Sequence, residues 1–200
     1  MYDRDYLSSM TEETPVRPTS KKGEVRSLIA QMLMNEIQSG NINALIARSA
    51  DFIGTKNSVL VEMVYKNLKN GKSANWFADA SKLHSFTFVD DAAKGTAMLG
   101  NAPDAYGQVW HLPTNRNVLT GKQWVELVAN ELKVKPKLMV MPAWMLGIVG
   151  VFVPVLKEFK EMIYQYDRDY VFDSSKFEKR FNYVPVTPQE AVKSVVEAMR

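Results

Sequence analysis

The chain contains no cysteine and only two histidines among its 200 residues. Without cysteine there can be no disulfide framework, no thiolate metal site and no cysteine nucleophile, and the composition suits a reducing compartment. His84 and His111 have no metal-ligating partners at useful spacing, so we expect no metal site and interpret both as strand or surface residues. Residues 1–6 lack the apolar region of a signal peptide, and we therefore expect a cytoplasmic protein.

A strong charge of either sign is also lacking. The 25 basic and 22 acidic residues alternate along the chain and leave a net charge of +3. A concentrated basic face is the usual requirement for binding a phosphate backbone, so we expect no nucleic-acid partner. Hydrophobic residues make up 46% of the chain, which is enough to form the core of one domain, or of one domain with a lobe.

A glycine-rich phosphate-binding turn is missing as well. Neither G-x-x-G-x-x-G nor G-x-G-x-x-G occurs, and the nearest run, Gly147-Ile148-Val149-Gly150, lies in an apolar segment with no strand before it. Such a turn lets backbone N–H groups and a helix N-terminus reach a pyrophosphate. We therefore expect this chain alone to bind a dinucleotide poorly.

A run without charge extends from Leu138 to Leu156. It is long enough to be a membrane-spanning candidate, but Pro142 and Pro154 leave only eleven residues between them, too few to cross a bilayer. We predict a buried helix or an interface patch and no membrane contact. A module that binds a membrane surface or a partner through this run is the alternative.

Apolar spacing predicts strands that alternate with helices, which is typical of an α/β fold. A helix is predicted over 22–39 with its apolar residues on one face, and a second over 58–69. Capping boxes at Thr120 and Thr187 predict two more helices. We expect strands over 44–47, 85–89 and 109–112, and we expect the first of them to be buried on both faces. The loop over 48–54 would then lie at the carboxyl end of that first strand, where ligands bind in such sheets. Asp90 is expected to be a helix N-cap, and the core is expected to include Met32, Met34, Met139, Met141 and Met145.

Four segments, read in order, resemble the NAD-dependent epimerase/dehydratase family, the extended short-chain dehydrogenases/reductases. The resemblance covers nearly the whole chain but only the C-terminal part of the family's domain. The glycine-rich N-terminal half is absent, so we expect a fragment or an N-terminally truncated gene product. The segments are Ser20-Lys21 with Glu24; Ala47-Arg48-Ser49-Ala50-Asp51-Phe52-Ile53-Gly54; Ser85-Phe86-Thr87-Phe88-Val89-Asp90-Asp91-Ala92-Ala93; and Phe172-Asp173-Ser174-Ser175-Lys176-Phe177-Glu178-Lys179-Arg180-Phe181.

The resemblance implies a partial Rossmann-like, NAD(P)-binding parallel sheet with a mostly helical C-terminal substrate lobe. Residues 1–113 would hold the second half of the Rossmann-like domain with interleaved segments of the lobe, and residues 114–200 mainly the lobe. NAD or NADP is the implied cofactor. A small molecule, such as a nucleotide sugar or a related alcohol or carbonyl compound, is the implied substrate, and a homodimer stays open.

The family's active site pairs a tyrosine with a lysine four residues later, and Lys21 matches that lysine best, with Lys22 second. The positions four residues earlier are Arg17 and Pro18, and neither can take the acid/base role of the tyrosine. Lys21 would thus be the one catalytic residue of the motif that is present, and it would also bind the cofactor. The other implied cofactor-binding residues are Ser49, Ala50 and Phe52, and the implied substrate-binding residues are Arg48 and Asn57.

Several alternatives stay open at this point. The longer parent protein would be an active NAD(P)-dependent epimerase, dehydratase or reductase, with this chain alone inactive. Alternatively, the chain is a catalytically silent relative that serves binding or assembly. Arg48 either orients a phosphate or pairs with a carboxylate. The polar-aromatic cluster over 164–170 either lines a substrate pocket or forms a helix end with mutual ion pairs.

Overall fold

The structure is a computed structural model that describes residues 1–142 and 162–200. In these two ranges, short strands alternate with helices along the chain. The strands are β1 (Ile46–Arg48), β2 (Asp51–Ile53), β3 (Ala74–Phe77), β4 (Leu83–His84), β5 (Phe86–Phe88), β6 (Val109–His111), β7 (Leu119–Thr120) and β8 (Leu138–Met141). The α-helices are α1 (Lys21–Gln38), α2 (Lys66–Lys69), α3 (Val89–Gly100), α4 (Gly121–Leu132), α5 (Ser175–Phe181) and α6 (Pro188–Ala198).

Three strand pairs are parallel: β1 with β6, β2 with β5, and β3 with β8. The short pair β4 and β7 is antiparallel. Parallel pairs connected through helices confirm the predicted α/β class. In the β1–β6 register, Arg48 lies opposite His111, so the carboxyl ends of these two strands bring a guanidinium and an imidazole together.

Helix α1 begins where the sequence predicts, because the Ser20 side chain caps it by accepting a hydrogen bond from the backbone N–H of Gly23. Its apolar stripe faces away from the described core, however. Leu28 is 64% exposed and Met32 is 62% exposed, so the expected core position of Met32 is wrong. Four residues of this helix, Val25, Leu28, Ile29 and Met32, therefore form an exposed apolar face.

The largest core cluster draws on helices α2, α4 and α6 and on strands β2, β3 and β5. The predicted capping boxes are both present, at Thr120 with Gln123 and at Thr187 with Glu190, and each starts an amphipathic helix. The helix predicted over 58–69 forms as well, with a π-helical turn, Val61–Tyr65, that leads into α2. Amphipathic periodicity thus placed the helices of this core correctly.

Some expectations are wrong in detail. Strand β1 is not buried on both faces, because Ala47 is exposed. The loop predicted after it contains β2, which pairs with β5. Asp90 is not an N-cap, since α3 already begins at Val89. Both histidines are strand residues as predicted, but neither lies at the surface, because each is 1% exposed or less.

The uncharged run 138–156 is described only over its first residues, which form β8; residues 143–156 lie outside the described ranges. Met139 on β8 is 50% exposed, so its predicted core position is wrong. Across the described parts of the chain, no helix is long and apolar enough to span a membrane.

Gly121, the first residue of α4, contacts the indole of Trp76 so closely that a side chain has no room. A Cβ atom at this position would lie 2.3 Å from Trp76 Cε2 and 2.4 Å from Nε1. We expect Gly121→Ala to lower the free energy of unfolding by about 2 kcal/mol, because overpacking a core outweighs the gain in helix propensity. Urea denaturation measures the change.

Gly100, the last residue of α3, is the matched control, since a Cβ atom there meets nothing within 4 Å. Gly100→Ala should leave the free energy of unfolding unchanged to within about 0.5 kcal/mol. Equal stability of the two variants would show that the Trp76 contact does not restrict position 121.

Candidate functional site

The candidate site lies where strands β1, β2 and β4 bring polar side chains together. Arg48 ends β1, Asp51 begins β2, and His84 ends β4. The two residues between Arg48 and Asp51 are held by the neighbouring strand, because the backbone N–H of Ala50 donates to Oγ1 of Thr87 over 3.1 Å. This bond fixes the turn that exposes the Asp51 carboxylate.

Asp51 accepts two side-chain hydrogen bonds on a single oxygen. His84 Nε2 lies 3.0 Å from Asp51 Oδ2, and the Tyr166 hydroxyl donates to the same atom over 3.1 Å. The His84 ring is almost fully buried, whereas the Asp51 side chain is 28% exposed. One carboxylate oxygen is therefore anchored in the protein, and Oδ1 accepts no hydrogen bond from the described residues.

His84 lies between two tyrosine rings. Its ring stacks on Tyr166 with centroids 4.5 Å apart and on Tyr170 with centroids 4.9 Å apart. Its Nδ1 faces the backbone carbonyl of Gln165 at 3.2 Å, while Nε2 faces Asp51. Both ring nitrogens thus face oxygen acceptors, and the two tyrosine rings enclose the imidazole between them.

These contacts keep Asp51 ionised. Burial by the surrounding protein opposes ionisation, but the hydrogen bonds and charge of His84, the hydrogen bond from Tyr166 and the charge of Arg26 outweigh it and lower the pKa of Asp51. The site therefore presents a permanently charged acceptor to a ligand.

A second polar group adjoins the first through Arg48. Its Nη1 donates to the Tyr2 hydroxyl over 2.9 Å, and the Tyr2 hydroxyl in turn donates to Nε2 of His111, 2.5 Å away. Nδ1 of His111 donates to the backbone carbonyl of Asp173 over 2.7 Å. Burial, as the main cause, lowers the pKa of His111 to about 4. His111 is therefore neutral near pH 7, and its tautomer is set by the carbonyl on one side and the phenol on the other.

The residues predicted from the family motif are placed as follows. Lys21 is the exposed first residue of α1 and makes a further contact within the chain. Arg17, at the position of the motif tyrosine, is exposed and pairs with Asp3 at 3.4 Å. Met1 lies near Gly23 of α1, and burial, together with the charges of Arg26 and Arg48, lowers the pKa of its amine. The start of α1 and the end of β1 are therefore neighbours.

The loop residues after β1 are placed differently from one another. Ser49 is half-buried, Ala50 is 4% exposed and Phe52 is 41% exposed. Asn57 is exposed and has a φ of 54°, in the left-handed region. The structure thus groups Arg48 and Ser49 with Asp51 and leaves Asn57 in the following turn. The roles proposed for these residues stay predictions.

Sequence analysis missed His84 as part of the site and named Tyr166 and Tyr170 only within the polar-aromatic cluster over 164–170. It treated Arg48 as orienting a phosphate or pairing with a carboxylate. In the cluster over 164–170, Arg168 pairs with Asp167 at 2.6 Å, which agrees with the expected ion pairs, while Tyr166 and Tyr170 stack on His84. The alternative that the cluster lines a substrate pocket stays a prediction. The only available indication was this dense cluster of tyrosines. Within the described ranges, no three His, Cys, Asp or Glu residues are grouped as metal ligands.

The fold is shared with solved nucleotide-sugar enzymes. UDP-glucose 4-epimerase of Thermus thermophilus, in complex with NAD, matches 94% of this chain with a TM-score of 0.74 at 15% identity. dTDP-glucose 4,6-dehydratase of Bacillus anthracis, also with NAD, matches 94% with a TM-score of 0.72 at 16% identity. RMD of Pseudomonas aeruginosa, complexed with NADPH, matches 98% with a TM-score of 0.72 at 13% identity.

The chain spans 56%, 54% and 61% of the lengths of these three structures. No protein-family model and no curated protein matches it. The likeness confirms the Rossmann-like fold predicted from the ordered motifs. Two of these three structures are an epimerase and a dehydratase in complex with NAD, and the third contains NADPH.

Proposed function

We propose that the chain is the substrate-side part of an NAD- or NADP-dependent epimerase, dehydratase or reductase that acts on a nucleotide sugar or a related alcohol or carbonyl compound. The observation that carries the proposal is the fold likeness over nearly the whole chain to enzymes of this kind. The grouping of Arg48, Asp51 and the start of α1 supports it, because ligands of α/β sheets bind at the carboxyl ends of parallel strands.

The proposed roles follow from the positions of the side chains. Lys21, exposed at the start of α1, would bind the ribose of the cofactor together with Ser49 and Phe52, and Ala50 would contribute only backbone. Arg48 has one guanidinium nitrogen bonded to Tyr2 and no carboxylate partner within the described ranges, which leaves its charge for a substrate phosphate. The nicotinamide group, when bound, would supply hydride transfer.

A catalytically silent binding or assembly module is the second candidate. The observation that favours it is Arg17 at the position of the motif tyrosine, with a side chain that is 79% exposed and paired with Asp3. Such a chain would bind the nucleotide sugar without turning it over. Turnover of a nucleotide sugar with NAD or NADP that is lost in Lys21→Ala would contradict this alternative.

Calorimetric titration of the chain with UDP-galactose and dTDP-glucose tests the proposed function. We expect binding of at least one of them, and Arg48→Ala should weaken it about tenfold, because the variant removes a charge-assisted contact to phosphate. NAD should bind only weakly, because the chain has no glycine-rich turn.

Arg17→Ala is the matched control. It also removes an arginine charge, but Arg17 pairs with Asp3 and not with Arg48 or Asp51. Its affinity for the nucleotide sugar should equal that of the unmodified chain. If neither sugar nucleotide binds, or if both arginine variants weaken binding equally, the proposed function is wrong.

A further inference from the structure

A basic depression lies at the amino ends of strands β3 and β8, and none of its lining residues belongs to the Arg48–Asp51 group. It has a volume of about 350 Å³ and is lined by Leu68, Gly71, Lys72, Val134, Lys135 and Lys137. Because β3 and β8 are parallel, the segments that precede them meet at the same end of the strand pair. Pockets for small molecules have volumes of about 300–1,000 Å³, so the depression has room for a small ligand.

The backbone on both sides of the basic depression is ordered by hydrogen bonds within the protein. After α2, the N–H of Gly71 donates to the Leu68 carbonyl over 3.0 Å. After α4, the N–H of Val134 donates to a carbonyl of that helix over 3.0 Å. The N–H of Ala74 donates to the Lys137 carbonyl over 2.8 Å and joins the two sides. The lysine side chains therefore extend from a backbone that is already in place before a ligand binds.

The positive charge of the basic depression is not compensated by carboxylates. Residues 66–78 and 132–142 contain no acidic residue. Lys72, Lys135 and Lys137 are exposed, and within residues 1–142 and 162–200 none of them forms an ion pair. Like charges around one depression repel one another. An anion bound between them removes this repulsion.

Neighbouring lysines have structural roles that these charges lack. Lys69 donates from Nζ to a backbone carbonyl near the C-terminus over 2.8 Å, and Lys133 is the C-cap of α4, where a cation offsets the helix dipole. Lys137 reaches a backbone carbonyl at 3.4 Å. In the described parts of the chain, the ammonium groups of Lys72 and Lys135 have no hydrogen-bond partner. These two charges are therefore left for a ligand.

The lining of the basic depression restricts the chemistry of that ligand. Lysine ammonium groups bind phosphate oxygens as point charges, and three of them favour a ligand with several phosphate groups over a single carboxylate. Val134, which is 39% exposed, adds a small apolar wall. A duplex nucleic acid needs an extended basic face, whereas this group of charges is confined to one concave region. A small polyphosphorylated molecule fits these features best.

We propose that Lys72, Lys135 and Lys137 form a binding site for a ligand that carries several neighbouring phosphate groups. The phosphates lie between Lys72, which precedes β3, and Lys135 and Lys137, which precede β8, so that the ligand bridges the two segments. A soluble metabolite and a lipid headgroup can both supply such phosphates. The inference goes beyond the proposed function, because it assigns a second site with its own ligand.

Calorimetric titration of the full chain with inorganic triphosphate tests the site. We expect triphosphate to bind at least about tenfold more tightly than orthophosphate, because several phosphates contact several lysines. Lys72→Ala and Lys135→Ala should each weaken triphosphate binding about fivefold, and added salt should weaken it further. Absent binding, or an affinity that is unchanged in both variants, overturns the site.

Lys94→Ala is the matched control, because it removes the same charge from an exposed position on α3 that does not line the basic depression. It should bind triphosphate like the unmodified chain. If it weakens binding as much as Lys135→Ala does, the effect comes from net charge and the site is wrong. All substituted lysines are exposed, so thermal melts should show that every variant folds like the unmodified chain.

Two further measurements identify the source of the phosphates. Cosedimentation with phosphatidylcholine vesicles that contain phosphatidylinositol bisphosphate, if it is lost in Lys135→Ala, supports the site and assigns it to a lipid headgroup. Triphosphate binding without cosedimentation supports the site and assigns it to a soluble ligand. Duplex DNA that binds through the same lysines more tightly than triphosphate overturns a site for a small ligand.

This site and the proposed function fail separately. Triphosphate binding should be unchanged in Arg48→Ala, and UDP-galactose binding that depends on Arg48 should be unchanged in Lys135→Ala. If UDP-galactose binds through Arg48 and triphosphate does not bind, the basic depression is not a site and the proposed function stands. If UDP-galactose binding is lost in Lys135→Ala and unchanged in Arg48→Ala, the basic depression stands as a phosphate site and the role proposed for Arg48 is wrong.

Discussion

Replacing Phe177 with alanine should lower the free energy of unfolding by about 4 kcal/mol, the largest effect of any single substitution considered for this chain. Phe177 on α5 is fully buried and belongs to a core cluster with Leu99, Trp110 and Leu112. Its ring lies 4.6 Å from that of Phe181, centroid to centroid, and the Tyr183 ring meets it edge-on. Truncation removes these contacts and leaves a cavity that rigid aromatic neighbours cannot fill.

The size of the effect follows from the small net stability of proteins of this length. A loss of about 4 kcal/mol is a large share of the roughly 5–15 kcal/mol typical of a folded domain, so the midpoint of urea unfolding should fall markedly. Val184→Ala is the control, because this side chain is 86% exposed and its loss should change stability by less than about 0.5 kcal/mol. A loss below about 1 kcal/mol for Phe177→Ala would contradict the packing of α5 described above.

The second large effect is a loss of stability in mild acid caused by His111. This side chain is fully buried, and burial lowers its pKa to about 4 from an ordinary value near 6.5. The unfolded chain therefore binds the proton more tightly than the folded one. The contribution of His111 to stability is fully present above about pH 6.5 and is lost as the pH falls towards 4, and its total is about 3 kcal/mol.

Urea denaturation at several pH values between 7 and 4.5 measures this loss. In His111→Gln, which cannot titrate, the part of the slope that comes from His111 should disappear. The carboxyl groups with lowered pKa values, such as Asp51 and Asp173, lose their contributions only at lower pH. An unchanged slope in His111→Gln would show that other groups cause the acid sensitivity.

Much of the fold could be predicted because the signals are local. Helices α4 and α6 each begin with a threonine N-cap that forms a capping box with a Gln or Glu three residues later, and each has an apolar stripe. The short strands were harder to predict, because β2, β4 and β7 are two or three residues long and their pairing partners are distant in sequence. The N-cap assigned to Asp90 failed because α3 starts earlier, at Val89.

The candidate site was predictable only in part. The family motifs pointed to the start of α1 and to the residues after β1, and the structure brings Met1, Arg48 and α1 close together. The motifs gave no indication that His84 would be buried against Asp51, 33 residues away, or that Tyr166 would reach the same carboxylate from 115 residues away. Nothing in the local pattern around a histidine specifies such partners.

The sequence by itself thus determined the α/β class, the main helices, the absence of thiol chemistry and the likeness to nicotinamide-dependent epimerases and dehydratases. These features depend on composition and on hydrogen bonds or periodicities within a few residues. Only the tertiary structure decided that Asp51 is an anchored, partly exposed acceptor and that His111 is buried and neutral. The reason is that pKa values and open hydrogen-bonding groups depend on burial and on contacts between distant segments, which a linear pattern does not contain.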